Sequence, residues 1–187
     1  MYMSFTGQFT GRLEDQKLRR GKAIHDKFSA SRNKLAKADV DWVVFAGAAA
    51  YCYGSRRQIT DIDILVKSVD LRKAEGVLKD IEGFEVVADL EIETEQGICR
   101  FFVDDEMIDR IEWKQLFGVT VPVIPVEDNI VFKAILQKGE DRGKHDIEDI
   151  RHMVENKKVD LEYLQKRIEK YNAEKRVRPL LKILGIL

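Results

Sequence analysis

The sequence predicts an α/β (α+β) domain, a mixed sheet flanked by helices with a C-terminal helical extension. Three observations point there. Two short runs rich in β-formers, Val40 to Ala46 and Thr60 to Val66, flank a stretch of small residues, Gly47 to Ala50. More apolar β-type runs follow, at Phe84 to Ala88, Ile98 to Val103, Met107 to Trp113 and Val119 to Val126. Beyond residue 127 the apolar spacing is helical throughout. Three regions result: an N-terminal helix packing on the core (1–38), a sheet domain (39–126) and a helical region (127–187).

Residues 12–38 read as a helix, with Ile24, Phe28 and Leu35 on one face. Val40 to Ala46 reads as a strand ended by Gly47, and Ala48 to Tyr51 as a short helix closed by Gly54. Thr60 to Val66 is the second strand. Asp70 reads as the N-cap of a helix over 71–81 that buries Leu71, Ala74, Val77, Leu78 and Ile81. Gly83 precedes a strand over 84–88, and Asp89 to Gly97 is loop or edge strand. Ile98 to Val103 and Met107 to Trp113 read as a hairpin across a solvated Asp104-Asp105-Glu106 turn. Pro122 and Pro125 place the last strand at a sheet edge. Glu127 and Asp128 open a helix to about Gln137, complementing its dipole. Helices over 144–156, 160–172 and 174–184 complete the chain.

Composition narrows the class. With 187 residues, 44% hydrophobic and 35% charged, the chain suits one soluble globular domain rather than a disordered one. Its apolar runs fall short of the roughly 20 residues that cross a bilayer, so no membrane partner is expected. Met1 to Gly11 lacks the pattern of a secretory leader. Cys52 and Cys99 fit neither a disulfide framework nor a zinc site and read as reduced thiols, which makes a cytoplasmic location the expectation. The net charge of −1 is uneven: residues 11–37 carry nine Lys/Arg against three Asp/Glu, and residues 156–187 nine against four. Solvated faces of amphipathic helices explain these ends most simply; contact with an extended polyanion is the alternative.

The chemistry concentrates in GAAAYCYGSRRQITDIDILV, Gly47 to Val66. On a strand, Asp61 and Asp63 share one face while Ile62 and Ile64 face the other way. Two adjacent carboxylates repel unless a cation or a basic group offsets them. Hard oxygen ligands of this kind suit Mg²⁺ carried with substrate phosphates. His25, His145 and His152 form no triad or metal cluster with the cysteines, and no serine sits in a nucleophile elbow.

A glycine at a strand end, twelve residues between Ala48 and Asp61, and Asp61-Ile62-Asp63 among apolar neighbours together resemble the polymerase-beta-like nucleotidyltransferase superfamily. Tyr53-Gly54, Arg57 and Thr60 strengthen the likeness to its small stand-alone prokaryotic members, including the nucleotidyltransferases of type IV toxin–antitoxin systems. The resemblance spans about residues 40–155. It implies an enzyme that moves a nucleoside monophosphate from an NTP, ATP included, to an acceptor hydroxyl and releases pyrophosphate. It implies Mg²⁺, as one or two ions for which Mn²⁺ substitutes, bound by Asp61, Asp63 and a third carboxylate. Asp109 is the first choice for that third group and Glu112 the fallback. Gly47, Ala48, Arg57, Lys133, Arg142, Lys144 and Asp146 are the expected nucleotide-binding residues. For Lys133 a snorkelling surface role stands beside the phosphate role, and Arg57 divides between phosphate ligand and partner of the Asp pair. Ala48 departs from the family's usual Ser or Gly, so a binding module acting as a toxin–antitoxin-type partner subunit is the rival expectation. The acceptor is open among RNA such as tRNA, a protein hydroxyl and an aminoglycoside-like molecule; a homodimer or a partner protein is also open.

Overall fold

The computed structural model describes residues 25–56, 59, 61–138 and 145–187. Arg57, Thr60, Arg142 and Lys144, and the predicted helix before residue 25, lie outside the described residues. The first described element is a helix over residues 25–37 (α1).

Five strands form a mixed sheet in the order β3-β2-β1-β7-β6. They are β1 (Trp42–Val44), β2 (Ile62–Val66), β3 (Phe84–Val87), β6 (Glu112–Leu116) and β7 (Val119–Val123). β1 is antiparallel to β2, and β2 is parallel to β3 across the crossover helix α3 (Leu71–Leu78). A short helix α2 (Ala46–Cys52) leaves the end of β1. Gly54 then turns the chain at φ +108°, where an added Cβ would meet the Asn156 side chain at 2.7 Å. The positive φ is what favours glycine here, and the turn brings α2 against α6 (Asp146–Asn156).

Four expectations change. Asp70 ends a 3₁₀ turn, and its side chain caps nothing. Gly97 to Phe101 (β5) pairs back onto Leu90 to Thr94 (β4) in a separate two-stranded sheet, instead of forward onto 107–113. Thr94 Oγ1 accepts from Gln96 N at 3.2 Å and donates to Gly97 O at 2.7 Å, so this tight turn competes with the acidic one and wins. The acidic segment is a helix start: Asp104 accepts from Met107 N at 2.8 Å, and Asp105 to Asp109 form α4. Finally, β7 lies inside the sheet. Pro122 is tolerated because it faces β6 alone, opposite Trp113, and β1 joins only at Val44, which accepts from Ile124 N at 3.0 Å.

Helix α5 (Val126–Leu136) is the centre of the packing, with α2, α6, α7 (Leu161–Lys170) and α8 (Glu174–Ile183) around it. Every residue from Val126 to Ile135 is buried. Its four polar residues must therefore find partners inside the protein. Glu127 Oε1 accepts from Asp160 N at 2.8 Å. Asp128, expected only to face the helix dipole, accepts from Tyr163 and Tyr171 hydroxyls at 2.7 and 2.6 Å and from Arg167 Nε at 2.6 Å. Arg167 also reaches Asp104 at 2.6 Å, tying α4 and α7 to α5. Burial works against its charge, but the Asp128 carboxylate outweighs that and keeps the guanidinium protonated. Asn129 and Lys133 point toward the β1–α2 turn and α6. No helix among the described residues is long and apolar enough to cross a membrane.

Candidate active site

The site begins where β1 gives way to α2. Phe45 N donates to Asp63 O at 3.1 Å, which holds the strand end beside β2. Ala46 then takes φ +54°, and the chain reverses so that Gly47 borders a cavity of about 290 Å³. Asp61 and Asp63 line the same cavity from the start of β2. Two-residue spacing keeps both on one face while Ile62 and Ile64 are buried on the other.

A third carboxylate joins them, and it is Glu85. The parallel register of β2 and β3 makes Glu85 the direct partner of Asp63, and it lines the cavity too. The sequence signal was an acid inside the apolar run Phe84-Glu85-Val86-Val87, on the strand after the Asp pair. The structure does not bring the expected Asp109 to this cavity. Asp109 is the exposed last residue of α4. That helix is tethered by Lys67 to Asp105 at 2.9 Å, and Lys67 lies four residues beyond Asp63, about 13 Å along an extended chain. Glu112, the fallback, lies on β6, separated from β2 by β1 and β7. Its carboxylate pairs with Lys157 at 2.8 Å and Lys114 at 3.0 Å. Neither residue lines the cavity.

The opposite wall carries a lysine held between two aspartates. Lys133 is 2% exposed, which rules out snorkelling, and its Nζ lies 2.9 Å from Asp146 Oδ1 and 2.7 Å from Asp149 Oδ2. Asp146 also accepts from Lys138 N at 2.9 Å, and Asp149 accepts from Ser55 Oγ at 2.6 Å. Both carboxylates are thus fixed, and they hold the ammonium in one position. Lys133, Lys138 and Asp146 line the cavity, and Phe45, Phe132, Leu136, Leu90 and Ile92 supply its apolar surface. Ala48 is fully buried and does not line it.

The three carboxylates are hard oxygen donors of the kind that bind Mg²⁺. Among the described residues, no three His, Cys, Asp or Glu side chains converge closely enough to form a ready metal centre. The donors are of the chemical type that Mg²⁺ takes, but an ion would have to draw these groups together.

Comparison with solved structures finds this architecture elsewhere. The crystal structure of ANT(2'')-Ia in complex with adenylyl-2''-tobramycin matches with a TM-score of 0.50 and 12% identity, over 84% of this chain and 99% of that one. A putative nucleotidyltransferase from Thermotoga maritima matches at 18% identity over 76% and 95% of the two chains, with a TM-score of 0.45. At these identities the likeness concerns the fold alone, and it rests on the first structure. No curated protein matches the chain. The family model described as "Nucleotidyl transferase of unknown function (DUF2204)" matches residues 81–183, which include Glu85, Lys133 and Asp146. With more than half of its length matched, and with a nucleotidyltransferase-like fold around an acidic and basic cleft, the chain belongs to that nucleotidyl transferase family.

Proposed function

We propose that the protein transfers a nucleoside monophosphate from a Mg²⁺-bound NTP to an acceptor hydroxyl. The observation that carries this reading is the cavity itself: Asp61, Asp63 and Glu85 on one wall, Lys133 on the other, and Gly47 at its margin. Asp61, Asp63 and Glu85 are the groups that would hold the metal. Bound there, Mg²⁺ would supply charge neutralisation for an in-line displacement at phosphorus. Lys133, oriented by Asp146 and Asp149, meets the triphosphate, and the small Gly47 lets backbone approach it. The acceptor oxygen bonds to the α-phosphorus, the bond to the bridging oxygen breaks, and pyrophosphate leaves. The acceptor proton passes to a carboxylate of the acidic wall. ANT(2'')-Ia carries an adenylylated aminoglycoside in its crystal structure. We place RNA such as tRNA, a protein hydroxyl and an aminoglycoside-like molecule together as acceptors to be tried.

The test is transfer of label from each α-labelled NTP, with Mg²⁺ or Mn²⁺, to tRNA, lysate protein or aminoglycosides. Glu85→Gln is expected to lower transfer by at least about 10–100-fold, since removing even an outer partner of a metal ligand costs that much. Asp109→Asn, altering an exposed residue, should leave it within about threefold. The reverse ranking would return the third carboxylate to Asp109. Binding of NTP with no transfer to any acceptor would support the binding-module alternative.

A further inference from the structure

One peptide unit, Ala46–Gly47, determines the direction of the Gly47 N–H. Ala46 occupies the left-handed region at φ +54°, where a residue with a Cβ is strained. Such a conformation persists only where its surroundings enforce it. Asn129 does so from α5. Its side chain is fully buried, and Nδ2 donates to Ala46 O at 3.1 Å. The orientation of the amide is forced, because a backbone carbonyl only accepts. The same Nδ2 lies 3.3 Å from Met153 Sδ, a weak acceptor. Asn129 Oδ1 is buried with no hydrogen-bond partner among the described residues. An amide held inside the protein with half its capacity unused is costly for stability, and its one strong bond goes to the turn.

A planar trans peptide sets its C=O and N–H on opposite sides. Fixing Ala46 O therefore fixes the Gly47 N–H. We propose that Asn129 is a positioning residue for the nucleotide: by holding the Ala46 carbonyl, it keeps the Gly47 N–H aimed at the triphosphate. This rests on the reading that Gly47 borders the triphosphate site. Asn129 touches neither substrate nor metal, and its effect on affinity passes through the Ala46–Gly47 peptide.

The experiment compares the full chain with Asn129→Ala and Asn129→Leu, one leaving a gap and one filling it. Each is also combined with Ala46→Gly, because glycine adopts φ +54° without strain. Binding of Mg²⁺ with α,β-methylene ATP, and with the analogues of the other three bases, is measured by calorimetry beside the thermal midpoint. Both single variants should bind about tenfold more weakly, the loss expected from freeing a strained turn, while the midpoint falls by a few degrees, further in Asn129→Ala than in Asn129→Leu because of the gap. Adding Ala46→Gly should recover much of that loss while leaving the midpoint where it was. Unchanged affinity in both single variants, or loss that Ala46→Gly does not relieve, would overturn the proposal. If both variants unfold, Asn129 belongs to the core alone and the proposal is again overturned. If the unaltered chain binds none of the analogues, the reading of the site fails, and this inference with it.

Discussion

Asp63→Asn is expected to abolish nucleotidyl transfer, by about 10³-fold or more, which corresponds to roughly 4 kcal/mol of lost transition-state stabilisation. Asp63 is the central carboxylate of the site, two residues from Asp61 on one strand and opposite Glu85 on the next. Asparagine keeps the shape and removes the charge. The ladder is untouched, because the bond from Phe45 N goes to the Asp63 backbone carbonyl. Activity should therefore collapse while the thermal midpoint stays within a few degrees. Parallel transfer assays and calorimetry decide it, and a variant with undiminished transfer would remove Asp63 from the chemistry.

The second large effect concerns stability. Asp128→Ala should destabilise the fold by about 3 kcal/mol, because the buried Arg167 guanidinium keeps Asp104 but loses the fully buried carboxylate at its Nε. For a chain of this size that corresponds to a fall of about 10 °C in thermal midpoint. Tyr171 loses its acceptor in the same change. Burial alone still holds its phenol protonated, so its hydroxyl remains a donor without a partner on α5. Arg167→Met should be similarly harmful because it strands Asp128. The double variant Asp128→Ala/Arg167→Met should lose less than the sum of the two, since neither member of the pair is then left without the other. Chemical denaturation of the four proteins measures the coupling directly. Strict additivity would mean that the network linking α4, α5 and α7 is not one unit.

The two halves of the site differ in how well the sequence announces them. Asp61 and Asp63 are legible because alternation along one strand is a local property, and Gly47 because a strand-ending glycine before small residues is local too. Glu85 is less visible: it belongs to the site only through the register of β2 with β3, which a sequence does not display. Asp109 was attractive for a local reason, an aspartate among apolar residues after an acidic turn. The cap formed by Asp104 converts that turn into a helix and leaves Asp109 exposed at its end, off the lining of the cavity. The same limit applies to the polar residues of α5. Glu127 and Asp128 look like ordinary first-turn acids, and Lys133 like a surface lysine bordering an apolar face. Their burial follows from four helices closing around α5, a fact of tertiary packing. The fold class is readable because strand and helix periods differ strongly, whereas strand pairing depends on which of two segments forms the hairpin turn, Thr94 to Gly97 or Asp104 to Glu106.

The central claim is that Asp61, Asp63 and Glu85 together bind the metal carried by a nucleotide. Crystals grown with Mn²⁺ and a non-hydrolysable NTP analogue test it most directly, through the anomalous signal of the metal. The account predicts Mn²⁺ within about 2.0–2.3 Å of oxygens from Asp63 and at least one of Asp61 and Glu85, with the triphosphate between the metal and Lys133. A nucleotide bound elsewhere, or Mn²⁺ held by Asp109 or Glu112 with the Asp61–Asp63 wall bare, would contradict it.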